Sequence, residues 1–88
     1  MTDEEIRLLR SLCRSDHKTY LPRGAAAGYL QEFDQLVETL RLMAKAGWVE
    51  LKVSKTGKAV QKYRRKYRAA AARCTEQGRA ALRMLGDA

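Results

Sequence analysis

The side chains of this chain best suited to chemistry are its cations. The run "KYRRKY", residues 62 to 67, sets Lys62, Arg64, Arg65 and Lys66 among Tyr63 and Tyr67. Ammonium and guanidinium groups pair with phosphate oxygens, and tyrosine hydroxyls can donate to them. The run belongs to a wider field. Between Glu50 and Glu76 there is no acid, and nine basic residues stand there: Lys52, Lys55, Lys58, Lys62, Arg64, Arg65, Lys66, Arg68 and Arg73. With 18 Lys and Arg against 10 Asp and Glu in all, this window carries +9 and the remainder of the chain sums to −1. Solubility asks for interspersed charge, whereas a tract of one sign attracts polyanions.

Other chemistry has little to work with. His17 is the single histidine and reads as a loop residue with no partner nucleophile. Cys13 and Cys74 lie far apart and lack a CxxC partner, so both read as small buried apolar residues, with no disulfide expected in a reducing compartment. No four-ligand metal set can be assembled, so no metal or other cofactor is expected. The "TGKAV" stretch at 56–60 lacks the upstream glycines of a nucleotide loop. Without a nucleophile–base pair either, an enzyme is not expected. The opening "MTDEEIRLL" is acidic, unlike a signal peptide, and there is no run of eighteen apolar residues. A cytoplasmic location away from membranes is the expectation.

These cations need elements to position them. The chain has 88 residues, 45% hydrophobic and 32% charged, which fits one globular domain over 1–88. Residues 3 to 15 read as a helix capped by Thr2 or Asp3, with Ile6, Leu9, Leu12 and Cys13 on one face. "HKTYL", 17 to 21, is a short strand or an extended link. "GAAAGYL", 24 to 30, predicts a short helix and "LQEF" a turn. Asp34 then caps a helix from about 34 to 46, with Leu36, Val37, Leu40 and Met43 inward and Gly47 ending it. "WVELKVSK" alternates, with Val49, Leu51 and Val53 on one side, and predicts a half-buried strand. "SKTGK" is turn-like. Residues 58 to 74 admit two readings. Val60, Tyr63 and Tyr67 have helical spacing, and alanine favours helix; the alternative is a basic loop running into a strand. Thr75 and Glu76 open a last helix that Gly86 stops.

Two segments carry a resemblance. "TLRLMAKAGWVELKV" resembles the end of a winged-helix recognition helix running into the first wing strand, through Leu40, Met43, Gly47, Trp48 and Val49. "RCTEQGRAAL" is similar to the segment after the second wing strand in MarR-like and PadR-like regulators, through Cys74, Thr75, Glu76, Gly78 and Arg79. Together they cover about thirty residues in the right order. The resemblance implies a mainly α fold with a small β-hairpin (α+β), a single winged helix-turn-helix domain. The wing would span about 48–74 and the C-terminal helix about 75–86. Residues 68 to 74 would be the second wing strand, with Ala70, Ala72 and Cys74 inward.

What the resemblance implies for function is a small DNA-binding transcriptional regulator. Its partner would be double-stranded DNA, gripped by the wing through Lys55, Lys58, Lys62, Arg64, Arg65, Lys66 and Arg68. The second helix of the helix-turn-helix would enter the major groove with Gln35, Thr39 and Arg41. Apolar residues on more than one side of the terminal helices, Leu8 beside Leu9 and Met84 beside Leu85, suggest a homodimer through those helices. One departure matters: Glu32, Asp34 and Glu38 make the recognition helix acidic, which suits a protein partner better than phosphate. The alternative is therefore a winged-helix protein-interaction module. RNA binding is less favoured, because no RNP-like aromatic strand or GxxG loop is present.

Overall fold

In a computed structural model the described residues form three helices and one three-stranded antiparallel sheet. The structure describes residues 2–15, 17–24, 26–55 and 67–86, with Lys55 and Tyr67 described by backbone alone. The element order is α1 (Asp3–Cys13), β1 (Lys18–Tyr20), α2 (Ala27–Lys45), β2 (Val49–Lys55), β3 (Tyr67–Cys74) and α3 (Glu76–Met84). No helix among the described residues is long and apolar enough to cross a membrane.

Helix α1 starts on a reciprocal cap. The Glu5 N–H donates to Thr2 Oγ1 at 3.2 Å, and the Thr2 N–H donates to Glu5 Oε1 at 3.0 Å. Two otherwise orphaned donors are thereby satisfied, and Asp3, Glu4 and Glu5 meet the positive end of the helix dipole. The inward positions Leu9 and Leu12 are fully buried.

Between β1 and β2 the sequence predicts two helices and a turn, but the structure has one helix. "LQEF" lies inside α2, and Asp34 is an interior residue of that helix, not its cap. The reason lies in the apolar spacing. Leu30, Phe33, Val37, Leu40 and Met43 recur at three or four residues and are all buried, so one continuous stripe faces the core. Leu, Gln and Glu are good helix formers, and nothing in 29–45 breaks the pattern. The glycine that weakened the expected short helix, Gly28, falls in the first turn of α2.

The end of α2 follows expectation. Gly47 adopts a left-handed φ of +86°. The Trp48 N–H donates to Met43 O and the Gly47 N–H to Ala44 O, both at 3.0 Å. This paired closure satisfies two terminal carbonyls and turns the chain into β2.

The sheet has the order β1-β3-β2. "HKTYL" therefore supplies a strand, and the expected hairpin is widened to three strands. Val49, Leu51 and Val53 stand opposite Cys74, Ala72 and Ala70, while Lys18 and Tyr20 stand opposite Ala72 and Ala70 from the other side. Residues 67 to 74 are thus a central strand and not a helix. Alanine's helical preference loses here to tertiary pairing, because Ala70 and Ala72 are almost fully buried beneath α1. Their small side chains let α1 pack against β3. Helix α2 packs mainly on β2, and α3 packs on α1.

The cysteines depart from expectation. Cys13, ending α1, and Cys74, ending β3, form a disulfide with Cα atoms 5.4 Å apart, within the usual range for such bridges. They are partly buried rather than free apolar fillers. Sixty-one residues separate them in sequence, yet the packing of α1 on β3 brings them together.

Tyr20 is half-buried, but its hydroxyl is covered and has no hydrogen-bond partner among the described residues. Burial raises its pKa above the usual tyrosine value. Tyr20→Phe is expected to leave stability unchanged or to raise it by up to about 1 kcal/mol, since an unsatisfied buried hydroxyl costs free energy. A raised folded pKa means the unfolded chain ionises first. The wild type should therefore lose stability as pH climbs past about 10, and the phenylalanine variant should lose less. Urea midpoints at neutral and alkaline pH check both, and a lower midpoint for the variant at neutral pH would show that the hydroxyl is paired.

Candidate nucleic-acid interface

The root of the basic window is a fixed junction. Thr75 caps α3, and its Oγ1 accepts from the Gly78 N–H at 3.0 Å. The same hydroxyl donates to Gly47 O at 2.6 Å, and the Thr75 N–H donates to Trp48 O at 3.0 Å. One threonine therefore ties the end of α2, the start of β2, the end of β3 and the start of α3. Both segments that carry the winged-helix resemblance meet at this point.

From this root β2 and β3 run out side by side. Their pairing continues to Lys55 opposite Tyr67, with an irregularity between Ser54 and Lys55. Lys58, Lys62, Arg64, Arg65 and Lys66 lie outside the described residues; of the turn expected at 54–58, Ser54 and Lys55 belong instead to β2, and the rest lies outside the described residues too. Lys55 is placed by its backbone at the far end of β2, and Arg68 is exposed near the start of β3. The strands thus bring Lys55 and Arg68, which flank the basic run in sequence, to the same end of the sheet.

The three helix positions are arranged differently. Gln35 and Arg41 are exposed on α2, but Thr39 is half-buried and its hydroxyl donates to Gln35 O at 3.0 Å. That donor is occupied within its own helix. The solvent ridge of α2 runs through Gln31, Glu32, Gln35, Glu38, Arg41, Leu42 and Lys45, so its first half is acidic and its cations come only near the end.

Compared with protein-family models, curated proteins and solved structures, the chain matches none.

Sequence reasoning left out the open face of the sheet. Directly opposite residues of antiparallel strands share a face. The face away from the helices therefore carries Glu50 opposite Arg73, Lys52 and Thr19 on either side of Ala71, and Ser54 opposite Ala69. Glu50 Oε2 lies 3.4 Å from Arg73 Nε, with both side chains about two-thirds exposed, so the pair adds little stability. A shallow hollow of about 690 Å³ opens here, edged by His17, Lys52, Arg73 and Arg79. Lys52 and Arg73 belonged to the acid-free window. Period-two alternation was the signal that could have assigned them to one face, but His17 and Arg79 become their neighbours only through folding.

The terminal helices pack on each other within the chain. Leu9 is buried and Leu8 packs against the core, leaving Met84 at 90% exposure and Leu85 at 51%.

Proposed function

We propose that this chain is a small winged-helix protein that binds duplex DNA through its basic wing and acts in transcription regulation. The observation that carries this reading is the acid-free basic window of the sequence, whose described flanks, with Lys52, Arg68 and Arg73, lie on the paired strands β2 and β3 next to the Thr75 junction. The antiparallel sheet order β1-β3-β2, with β2 and β3 as neighbours and a helix after them, is compatible with a winged domain. The helix-turn-helix is replaced by the single helix α2, so the weight of binding shifts to the wing. Met84 and Leu85 would supply the apolar surface of a homodimer.

The test is duplex binding across a salt series. The wild type should show a log–log slope of about −4 to −6, from release of counterions by bound cations. Changing Lys62, Arg64, Arg65 and Lys66 together to alanine should remove about 3 to 4 of that slope. No binding at low salt would end the reading.

One observation favours a second reading, a protein-docking module. A hollow between α1, the 21–23 link and α2 is lined by Glu4, Leu21, Tyr29, Glu32 and Leu36, among others. Leu21 is 65% exposed and Tyr29 44%. An apolar floor with Glu4, Glu32 and Arg23 around it suits an apolar peptide that carries a cation. Binding of such a peptide by a chain that ignores duplex DNA would decide for this alternative.

A further inference from the structure

We infer that the duplex lies against the open face of the sheet and α3, and not against α2. This rests on the duplex-binding reading above and assigns the surface that makes the contact.

The first ground is charge. The open face presents Lys52 and Arg73, with Arg79 and His17 at the edge of the same hollow. Its single acid, Glu50, is held beside Arg73. The solvent ridge of α2 offers Glu32 and Glu38 ahead of Arg41 and Lys45, so it has no net positive charge to set against phosphate. A duplex carries one negative charge per ~1.7 Å of axis, so this difference in sign decides which side it approaches.

The second ground is shape. Beyond the charged groups, the described side chains of the open face are Thr19, Ser54, Ala69 and Ala71. Methyl-sized side chains let a phosphate backbone come close to the strands, and the two hydroxyls can donate to its oxygens. An open sheet face is polar in most proteins, but polarity alone would mix acids with bases, and here the bases prevail.

The third ground is continuity. Lys52 lies on β2 and Arg73 on β3, the two strands that lead to the basic run. A backbone gripped by the wing can continue onto these residues and reach Arg79 on α3, meeting Glu50 and, at the start of α3, Glu76 as the described acids on the way.

The experiment compares two variant sets of the full chain on one short duplex across a salt series. The sheet set is Lys52→Ala, Arg73→Ala and Arg79→Ala, all exposed positions, with circular dichroism to confirm folding. The helix set is Gln35→Ala and Arg41→Ala. The sheet set should flatten the log–log slope by about 2 to 3 and weaken binding about tenfold or more near 0.1 M salt, while the helix set should change the slope by less than about 1. A charge-keeping set, Lys52→Arg, Arg73→Lys and Arg79→Lys, should restore the slope. A larger loss in the helix set, or an unchanged slope in the sheet set, overturns this inference and leaves the wing reading standing. Tighter binding of single strands than of the duplex also overturns it. A wild type that binds no duplex at low salt overturns both.

Discussion

Reducing the Cys13–Cys74 bridge, or replacing both residues with alanine, should lower the free energy of unfolding by about 4 kcal/mol. The bridge closes a loop spanning 61 residues of sequence. In the chain-entropy account, a cross-link of that span removes conformations from the unfolded ensemble worth about 4 kcal/mol. A domain of this size holds only about 5 to 10 kcal/mol in total, so the loss is a large share. The bridge also joins the end of α1 to the end of β3, one residue before the Thr75 junction. Loosening it would expose the buried pair Leu9 and Leu12 above Ala70 and Ala72. Urea unfolding with and without a dithiol reductant measures the effect, and the m-value should rise as the unfolded chain expands. An unchanged midpoint would mean that the bridge contributes nothing to the folded state in solution.

The cysteines also mark where sequence reading reaches its limit. Residue type and an assumed reducing compartment argued for free thiols, but only the packing of α1 on β3 sets the distance between them. The same limit applies to "HKTYL". Three residues of strand carry too short a pattern to separate a strand from a link, and β1 exists because β3 offers an open edge. What could be read was whatever depends on local period and backbone conformation. Alternation in "VELKV" placed Val49, Leu51 and Val53 inward, and the positive φ at Gly47 followed from a glycine after an apolar helical run.

The error within α2 has a different origin. Asp34 is a good cap residue, and "LQEF" follows two glycines, so local signals favoured a break. The apolar stripe through Leu30 and Phe33 outweighed them, because burying both side chains is worth several kcal/mol and a cap only about 1. For the candidate interface, the sign and position of the charges were legible in the acid-free window. The face on which Lys52 and Arg73 meet Arg79 was not, since it depends on strand register and on the docking of α3.

That docking gives a substitution whose sign runs against helix propensity. Gly78 is the third residue of α3, where alanine would ordinarily stabilise by about 0.5 to 1 kcal/mol. Yet a Cβ at Gly78 would overlap the Trp48 carbonyl oxygen and come within 3.0 Å of Leu9 Cδ1. The carbonyl cannot step aside, because it accepts the Thr75 N–H at 3.0 Å and belongs to the turn that closes α2. Either α3 shifts outward or the junction hydrogen bonds lengthen. Gly78→Ala is therefore expected to destabilise by about 1 to 3 kcal/mol, the usual range for overpacking. Gly28→Ala is the matched control. A Cβ there meets nothing within 4 Å, in the first turn of α2, so it should stabilise by about 0.5 to 1 kcal/mol. Urea midpoints of the two variants should move in opposite directions. If Gly78→Ala also raised the midpoint, α3 would not be seated on the Trp48 carbonyl, and the Thr75 junction that joins α2, β2, β3 and α3 would lose its main packing constraint.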